Sequence, residues 1–496
     1  MIGAIALRAA LIGADLRYRR PLLAAARDPA RAQEEALRRI LAGNAQTEFG
    51  ASHGFAGISE PEAFRAAVPV QTYETLAEAI TRQAETGAPA LTAEPPLYYA
   101  RTSGTTAPAR DFPVTASGQA AQRAAQRVLA ATLARGTGFF SGRIAGLGGA
   151  RIEGHLASGQ PYGATSGQTY ATAPRILRQR FVVSEEVFAI ADPAAKYRAY
   201  ADAMAAAPDL TGIITANPST LLSLLPHLPD DPAALWPRLD TLATWTGGNC
   251  RAALDRLVPL MPEALRVVEI GYRASEFVGT INLDAARNLC LPDLTNTVFE
   301  FVEEDAWEAD RPDFLWLDQI EEGRRYYIFA TTQSGLYRYN INDVVEVTGR
   351  IGRCPTLAFA RKGQGMTSIT GEKLHEDQVI AAYRAAARSV GVAPGFFLVI
   401  ADPDQPGYRL FCEEGRPGLA EAFDRALSDA NIEYAAKRGS GRLAPVKLVT
   451  LRPGTGEAMK AAAIAAGQRE AQLKLPVLTE LGRLVFDLRP WVLECA

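Results

Sequence analysis

The sequence predicts an α/β protein with a large N-terminal domain of parallel α/β sheets, a β-barrel-like subdomain, and a small mobile α+β C-terminal domain. Three observations predict it: strands alternate with helices from about residue 96, β-rich runs crowd about 295–360, and an α+β pattern follows a charged, glycine-containing break at 361–365. Alternating strands and helices favour parallel sheets. A chain of 496 residues is long enough for two or three domains.

Residues from about 1 to 90 are predicted to be helical, because apolar residues recur at helical spacing through 32–41 and 64–80. The apolar stretch 1–10 is interrupted by Arg8 and has no basic residue before it, which is the wrong order for an export signal. We expect it to be a helix that packs on the rest of the protein.

Strand–helix units then follow along the chain. The predicted strands are 96–100, 211–215, 242–246 and 265–270, and the predicted helices are 117–135, 219–225 and 251–260. Four β-rich runs at 298–302, 314–317, 325–329 and 344–348, with turns at 322–323, 334–335 and Gly349, predict a barrel or meander.

The C-terminal part is predicted to contain its own helices and a hairpin. The helices are 375–389 and 419–437, and the strands are 396–400, 408–412 and 445–451. We therefore expect a large domain over 1–362 with its β-rich subdomain at about 295–360, a hinge over 363–372 and a small domain over 373–496.

Composition excludes several classes of function. The net charge of −3 and the pI near 6.0 argue against a general nucleic-acid binder. Five scattered cysteines without a C-x-x-C pair favour a reducing cytoplasm, and no Cys/His zinc constellation is visible. No apolar run reaches the roughly 18 residues that span a bilayer. We expect a cytoplasmic monomer, and abundant Ala and Arg are typical of a GC-rich bacterial genome.

A polar loop at 102–110 carries hydroxyls, one glycine and a cation between a predicted strand and a predicted helix. Free backbone N–H groups and hydroxyls in such a loop can bind phosphate, and a basic side chain balances the charge. The spacing is not the G-x-x-x-x-G-K-[ST] of nucleotide triphosphatases. Taken alone, an ordinary Ser/Thr/Gly loop is an equal alternative.

Two more clusters follow predicted strands. Gly247 and Gly248 permit close approach of a flat ligand, although an ordinary strand-to-helix turn explains them equally well. Glu276 follows the strand at 265–270, at the sheet edge where open α/β folds bind ligands. A single carboxylate beside a triphosphate suits Mg²⁺, and the alternative is a surface acid.

Two further residues stand out later in the chain. Asp343 lies between a polar turn and a β-branched strand, where its carboxylate can accept hydrogen bonds from both ribose hydroxyls or can simply form a turn. Lys474 is a lone lysine between apolar residues, which can reach a developing negative charge or remain a surface lysine.

The order of these motifs resembles the adenylate-forming superfamily, whose members activate carboxylic acids with ATP through a T-S-G-T-T-G-x-x-K loop. Within that superfamily, several sequence segments resemble the auxin-responsive-promoter (GH-three) family of acyl acid–amido synthetases. The matching segments are 44–55 (NAQTEFGASHGF), 64–74 (FRAAVPVQTYE), 335–343 with Pro355, Arg361 and Lys362, and 473–476 (LKLP). The resemblance runs from about residue 35 to 480.

The resemblance implies a two-step reaction. A carboxylate would attack the α-phosphorus of ATP to give an acyl-adenylate and pyrophosphate, and an amine, most simply of an amino acid, would then displace AMP to form an amide. The implied partners are thus a small carboxylic acid and an amino acid or other amine, with ATP and Mg²⁺. Such chemistry requires phosphate charge to be neutralised and water to be excluded.

The resemblance also implies roles for individual residues. The phosphates would be held by Thr102, Ser103, Gly104, Thr105 and Thr106. The adenine, α-phosphate and ribose would be bound by Thr246, Gly247, Gly248, Tyr272, Ala274, Ser275, Asp343 and Arg361. Glu276 would bind Mg²⁺, and Arg110 and Lys474 would be catalytic.

Three positions depart from the family pattern. Ala107 stands where the loop usually has glycine, Arg110 replaces the usual lysine, and Asn342 replaces the glycine before Asp343. Arginine keeps the charge but is bulkier, and asparagine tolerates a positive φ. These changes concern the ATP geometry and not the fold.

Two alternative functions stay open. One is a ligase that passes the acyl group to coenzyme A or another thiol. The sequence has no obvious basic patch for the 3′-phosphate of coenzyme A, which is a weak point against this alternative. The other is a relative that binds nucleotide or acyl-adenylate without turnover. The acid itself is not predicted, because acyl pockets are formed by side chains from several separated segments. Phe139, Phe140, Tyr162 and Tyr170 could line such a pocket, but core packing is the favoured role.

Overall fold

The computed structural model describes residues 2–101, 110–363, 366–367, 369–370, 372, 374–393, 395–402, 405–466, 473 and 475–493. These residues form two compact units. Of the described residues, the first unit contains 2–101, 110–246 and 259–359, and the second contains 247–258 and those from 360 onward. The predicted domain and hinge bounds remain predictions.

The first unit begins with helices, as expected. They are α1 (Ile2–Ala25), α2 (Pro29–Asn44), α3 (Glu48–Ser52), α4 (Pro61–Ala67) and α5 (Tyr73–Thr86). In α1, the buried Leu7 enters a core shared with later helices, and the Arg8 side chain donates to the carbonyl of Ala134 over 2.7 Å. The stretch predicted to pack on the protein therefore does so. Asp28 caps α2, which has Pro29 in its first turn.

A four-stranded parallel sheet lies at the centre of the first unit. Its strands are β3 (Arg143–Leu147), β6 (Leu210–Thr215), β7 (Thr241–Thr244) and β8 (Arg266–Glu269), in the order β3-β6-β7-β8. Helix α6 (Ala116–Gly136) precedes the sheet, and the helices between its strands in the first unit are α7 (Thr165–Thr172), α8 (Arg175–Arg178), α9 (Glu185–Phe188), α10 (Pro193–Ala205), α11 (Pro218–Leu224) and α12 (Pro232–Leu235). Phe139 and Phe140 are buried in the core beside this sheet, as the core-packing alternative predicted.

A mixed sheet flanks the predicted phosphate loop. It contains β1 (Tyr98–Arg101), β2 (Asp111–Val114), β4 (Gly154–His155) and β5 (Pro161–Gly163), in the order β2-β1-β5-β4. Strand β2 corrects the sequence analysis, which placed a helix directly after the loop. The chain first returns along β1 as an antiparallel partner, and α6 begins only after Thr115, which caps it.

The β-rich segment is a five-stranded antiparallel sheet. Its strands are β11 (Thr297–Glu303), β12 (Leu315–Trp316), β13 (Arg325–Thr332), β14 (Tyr339–Ile351) and β15 (Cys354–Lys362), in the order β12-β11-β13-β14-β15. The hairpin β9 (Thr280–Asp284) and β10 (Leu289–Pro292) precedes it, and α14 (Glu304–Glu308) follows β11. The turn predicted at Gly349 is wrong: β14 passes through that residue, and the chain reverses at Gly352, where φ is +63°.

The second unit has its own α+β core. Its helices are α13 (Asn249–Leu257), α15 (Glu376–Val390), α16 (Leu419–Ala430), α17 (Ile432–Gly439) and α18 (Thr455–Ala465). Strands β18 (Phe397–Asp402), β19 (Gly407–Cys412), β20 (Lys447–Thr450) and β21 (Leu478–Glu480) form a sheet ordered β20-β19-β18-β21, and β16 (Met366–Thr367) pairs with β17 (Leu374–His375).

The single helix predicted over 419–437 is two helices. Asn431 adopts an extended φ of −143°, and its side chain accepts a hydrogen bond from the Tyr434 backbone over 2.8 Å. Asparagine favours this N-cap geometry over a helix interior, so α16 ends and α17 begins there.

Within the described part of the chain, no helix is long and apolar enough to cross a membrane. Four of the cysteines are described and are buried: Cys250, Cys290, Cys354 and Cys412. This agrees with the cysteine pattern of the sequence, which did not indicate a disulfide framework.

Candidate functional site

A half-buried carboxylate joins the ends of two neighbouring parallel strands. Glu269, the last residue of β8, accepts hydrogen bonds from the backbone and hydroxyl of Thr246 (2.7 and 2.6 Å) and from the backbone of Gly271 (2.9 Å). Desolvation raises the pKa of Glu269 against the opposite effect of these donors. Glu269 was not among the predicted site residues; the available signal was an acid that directly follows Val267 and Val268 at the end of a strand.

Gly271 opens a tight turn that displays three predicted site residues. Its φ is +92°, a left-handed value that glycine adopts readily. The backbone of Tyr272 accepts from Gly279 and Thr280 (3.0 and 2.9 Å), which closes the turn. Ala274, Ser275 and Glu276 lie at its tip and are half-buried.

Tyr272 and Asp343 meet at this edge of the sheet. The Tyr272 hydroxyl donates to Oδ2 of Asp343 over 2.6 Å, although the residues are 71 positions apart. Asp343 lies on β14 and is 2% exposed. The Tyr272 ring stacks on Phe359, with centroids 5.8 Å apart. Burial, helped by the charge of Asp343, holds the pKa of Tyr272 well above its usual value, so this hydroxyl remains a proton donor.

Glu276 belongs to the same cluster. Its charge, after desolvation, helps to raise the pKa of both Tyr272 and Tyr339. Asn342, beside Asp343, has a φ of +59°, which confirms that asparagine tolerates the left-handed conformation there. The structure thus brings together Thr246, Tyr272, Ala274, Ser275, Glu276 and Asp343.

Three predicted residues lie in the second unit. Gly248 has φ +56° and ψ −138° and, after Gly247, immediately precedes α13. Arg361 is 1% exposed, and its guanidinium donates to the carbonyls of Lys362 and Gly363 (3.0 and 3.4 Å). Arg361 is therefore held by its own strand end.

The predicted phosphate loop is described only at its flanks. Thr102, Ser103, Gly104, Thr105 and Thr106 lie outside the described residues, as does Lys474. Arg110 is described: its guanidinium lies 2.5 Å from Oε1 of Glu74 and stands 5.0 Å from the centre of the Tyr73 ring. In this conformation the predicted catalytic arginine is thus paired with an acid on α5.

Behind the turn lies a polar pair that the sequence analysis missed. Burial lowers the pKa of Arg273 to about 10 and raises that of Asp293 to about 6. Each of the two charges partly offsets the other's desolvation. Asp293 Oδ1 accepts from Asn296 over 2.8 Å, and the Asp293 backbone donates to Gly279. The Asp293 backbone therefore helps to hold the turn at Gly279.

Comparisons of the sequence with protein-family models match a single family in three successive segments of the chain. Three family models match in order: the GH3 family N-terminal domain over residues 19–231, the GH3 family central domain over 291–362 and the GH3 family C-terminal domain over 377–481.

Curated relatives agree with these matches. A rice protein named "Probable indole-3-acetic acid-amido synthetase GH3.6" is 29% identical over 273 residues, 49% of this chain and 55% of the rice protein. The Arabidopsis thaliana "4-substituted benzoates-glutamate ligase GH3.12" is 26% identical over 280 residues, 50% of this chain and 47% of that protein. A mouse "GH3 domain-containing protein" is 27% identical over 248 residues, 46% of each chain. The chain spans about half the length of the curated relatives it matches.

Solved structures extend the likeness of fold over nearly the whole chain. A structure titled "AtGH3.15 acyl acid amido synthetase in complex with 2,4-DB" has a TM-score of 0.81 and 17% identity, covering 97% of this chain and 96% of that one. A 2-hydroxyisobutyryl-CoA ligase in complex with 2-HIB-AMP has a TM-score of 0.60 and 13% identity, covering 90% and 88%. At these identities the likeness concerns the fold alone.

Proposed function

The chain belongs to the GH3 family, and on that premise we propose that it is an ATP-dependent ligase that joins a carboxylic acid to an amine, an amino acid being the first class to test. The names of the rice and Arabidopsis relatives, an amido synthetase and a glutamate ligase, support this class. The structural observation that carries the proposal is the Tyr272–Asp343 pair at the carboxyl edge of the parallel sheet.

The geometry suits the nucleoside part of ATP. Asp343 offers a buried carboxylate to a ribose diol, and a protonated Tyr272 fixes its orientation. Glu269 holds Thr246 and Gly271 in place at the strand end. Each residue here binds or orients, which is what adenylation needs from the protein.

The proposed reaction has two balanced steps. An oxygen of the acid attacks the α-phosphorus, the bond to the β-phosphate bridge breaks, and pyrophosphate leaves with its electron pair. The amine nitrogen then attacks the acyl carbon, loses a proton to solvent or a base, and AMP leaves. The loop hydroxyls at 102–106, Arg110 and Lys474 are proposed to neutralise phosphate charge during these steps.

Arg110 must exchange partners to do so. Its present partner, Glu74, is 66% exposed, and an ion pair of this kind contributes at most about 1 kcal/mol. The cost of releasing Arg110 toward a triphosphate is therefore small.

Mg²⁺ is proposed as the accompanying ion, with Glu276 as its protein ligand. Glu276 fits because it is a half-buried carboxylate at the tip of a closed turn, near enough to Tyr272 to shift the pKa of that hydroxyl. Mg²⁺ is usually held by one or two carboxylates plus phosphates and water. When bound it would neutralise phosphate charge.

The first experiment is acid-dependent exchange of pyrophosphate into ATP with a panel of aromatic and aliphatic acids. Asp343→Ala should lower exchange by about 100- to 1000-fold, because two hydrogen bonds to a charged acceptor are lost. Tyr272→Phe keeps the ring stacked on Phe359 and should lower exchange by only about tenfold. Unchanged exchange in Asp343→Ala would show that the ribose assignment is wrong.

An acceptor screen tests the second step. Amino acids, ammonia and coenzyme A are offered with the best acid, and amide, thioester and AMP are measured. A thioester product without any amide would show that the acceptor is a thiol and not an amine. Failure of every acid to release AMP would favour a protein that binds nucleotide without turnover.

A cytoplasmic location, a bacterial source and a monomeric state remain proposals. Size-exclusion chromatography with light scattering tests the last of these: a single species near 53.2 kDa is expected.

A further inference from the structure

An ion pair joins the two strand ends that flank the predicted phosphate loop. Nε of Arg101 donates to Oδ1 of Asp111 over 2.8 Å, and Nη2 donates to Oδ2 over 2.6 Å. The two residues are cross-strand partners, the last of β1 and the first of β2. A bidentate guanidinium–carboxylate contact is strong and directional, so it fixes both the separation and the orientation of the strand ends.

The surroundings strengthen this pair. The Arg101 guanidinium carbon lies 3.3 Å from the centre of the Tyr162 ring on β5, a cation–π contact. The side chains of Arg101 and Asp111 are only 24% and 18% exposed, so salt screens the pair less than an exposed one. The Asp111 backbone also donates to the hydroxyl of Tyr73 on α5 over 3.3 Å.

The hairpin itself is weak without the pair. Strands β1 and β2 have four residues each, and Pro113, opposite Tyr99, brings no N–H to the ladder. The segment 102–110 between them is longer than the two to five residues typical of hairpin loops. Short strands joined by a long loop fray at the loop end, and the Arg101–Asp111 pair lies at that end.

We propose that Arg101 and Asp111 are positioning residues for ATP, forming a clasp that holds the ends of the 102–110 loop at a fixed separation. This inference rests on the proposed function, in which groups of that loop bind the phosphates. The clasp fixes the separation and orientation of the strand ends at Arg101 and Asp111, so it raises the affinity for ATP and aligns the α-phosphate for attack. Neither side chain needs to touch the nucleotide.

The test compares Arg101→Met, Asp111→Asn and the double variant in acid-dependent pyrophosphate exchange. Each single variant should lower kcat/KM for ATP by about 10- to 100-fold while the KM for the acid changes less than about twofold. The double variant should be no worse than the poorer single variant, since both remove one contact. Arg101→Lys keeps the charge without the two-pronged geometry and should be intermediate.

The control is Arg143→Met. It removes another arginine–aspartate contact between strands, Arg143 Nε to Asp209 Oδ1 at 2.8 Å, at the opposite end of the parallel sheet from the site. This variant should keep the wild-type kcat/KM for ATP. Single clasp variants that stay within about twofold of wild type would overturn the inference.

Hydrogen exchange separates the clasp from the proposed function. Without any substrate, backbone amides of 98–101, 111, 112 and 114 should exchange at least about fivefold faster in Arg101→Met and Asp111→Asn than in wild type or Arg143→Met. Wild-type protection in both clasp variants overturns the clasp even if the enzyme is active. A wild-type protein that is inactive with every acid, but shows the faster exchange in the variants, rejects the proposed function and the role toward ATP while leaving the structural clasp.

Discussion

Asp293 is a carboxylate whose surroundings disfavour its charge. Oδ1 accepts hydrogen bonds from Asn296 and Thr295, whereas Oδ2 has no hydrogen-bond partner among the described residues. Arg273 offsets only part of the desolvation, and burial raises the pKa of Asp293 from its usual value of 3.8 to about 6. Its contribution to stability is therefore fully present below about pH 3.8 and is lost as the pH rises through about 6.

Asp293→Asn should consequently stabilise the protein at pH 8. Asparagine resembles the protonated carboxyl and carries no buried charge, so the free energy of unfolding should rise by about 3 kcal/mol, since the pKa is raised from 3.8 to about 6 and one pKa unit corresponds to about 1.4 kcal/mol. The difference from wild type should shrink as the pH falls through about 6 and should vanish below about pH 3.8. Urea denaturation between about pH 3.5 and pH 8 measures this, and a difference that is constant across the range would contradict the role of Asp293. Asp313→Asn, at an exposed aspartate, is the control.

Among the secondary-structure elements, the turn after β8 determines most of the site. The turn places Tyr272 against Asp343 and presents Glu276. It begins at Gly271, which has a positive φ and no space for a side chain. A Cβ on Gly271 would lie 2.4 Å from the carbonyl oxygen of Thr280. A backbone shift at residue 271 that relieves this contact would also move the next residue, Tyr272.

Gly271→Ala should therefore reduce stability and exchange activity together. Strain and the steric clash should cost about 2–3 kcal/mol of unfolding free energy, and acid-dependent exchange should fall more than tenfold. Gly323→Ala is the matched control, because Gly323 also has a positive φ (+78°) but a Cβ on it would meet no atom within 4 Å. It should cost only about 1 kcal/mol. Equal effects of the two substitutions would show that the clash at Gly271 is unimportant.

For the chain as a whole, the boundary between the compact units is not a single point. Helix α13 lies between two strands of the first unit in sequence, yet it belongs to the second unit. Asp255 on α13 binds Arg384 on α15: Nη2 donates to Oδ1 over 2.8 Å, and Nε lies 2.5 Å from Oδ2. This pair is a polar link that attaches α13 to the helices of that unit.

Arg384→Ala should loosen α13 selectively. The pair is partly buried and its loss should cost about 1 kcal/mol, which corresponds to roughly fivefold faster hydrogen exchange of residues 249–257. Exchange in α16 should change little. Arg388→Ala, at an exposed arginine on the same helix, serves as control and should leave residues 249–257 as protected as in wild type. Uniform acceleration across the second unit would instead indicate global destabilisation.

The sequence by itself determined the kinds of elements, their order and the family. Helical periodicity, turn glycines and strand alternation act over a few residues, so strands β6, β7 and β8, the β-rich segment and the α+β pattern of the C-terminal part were predicted, whereas strand β3 was not. The collinear motifs also singled out Thr246, Tyr272, Glu276 and Asp343 as candidates. Two local predictions were wrong. Asn431 caps a new helix inside a segment predicted as one helix, and strand β14 continues through Gly349, where a turn was predicted.

Only the tertiary structure decided which side chains meet. Tyr272 and Asp343 are 71 residues apart, and the roles of Glu269 and Asp293 depend on burial and on donors from other strands. Arg101 and Asp111 flank the loop in sequence, but strand β2, which makes them partners, was not predicted. Such contacts depend on how separate elements pack, and no local pattern encodes that packing.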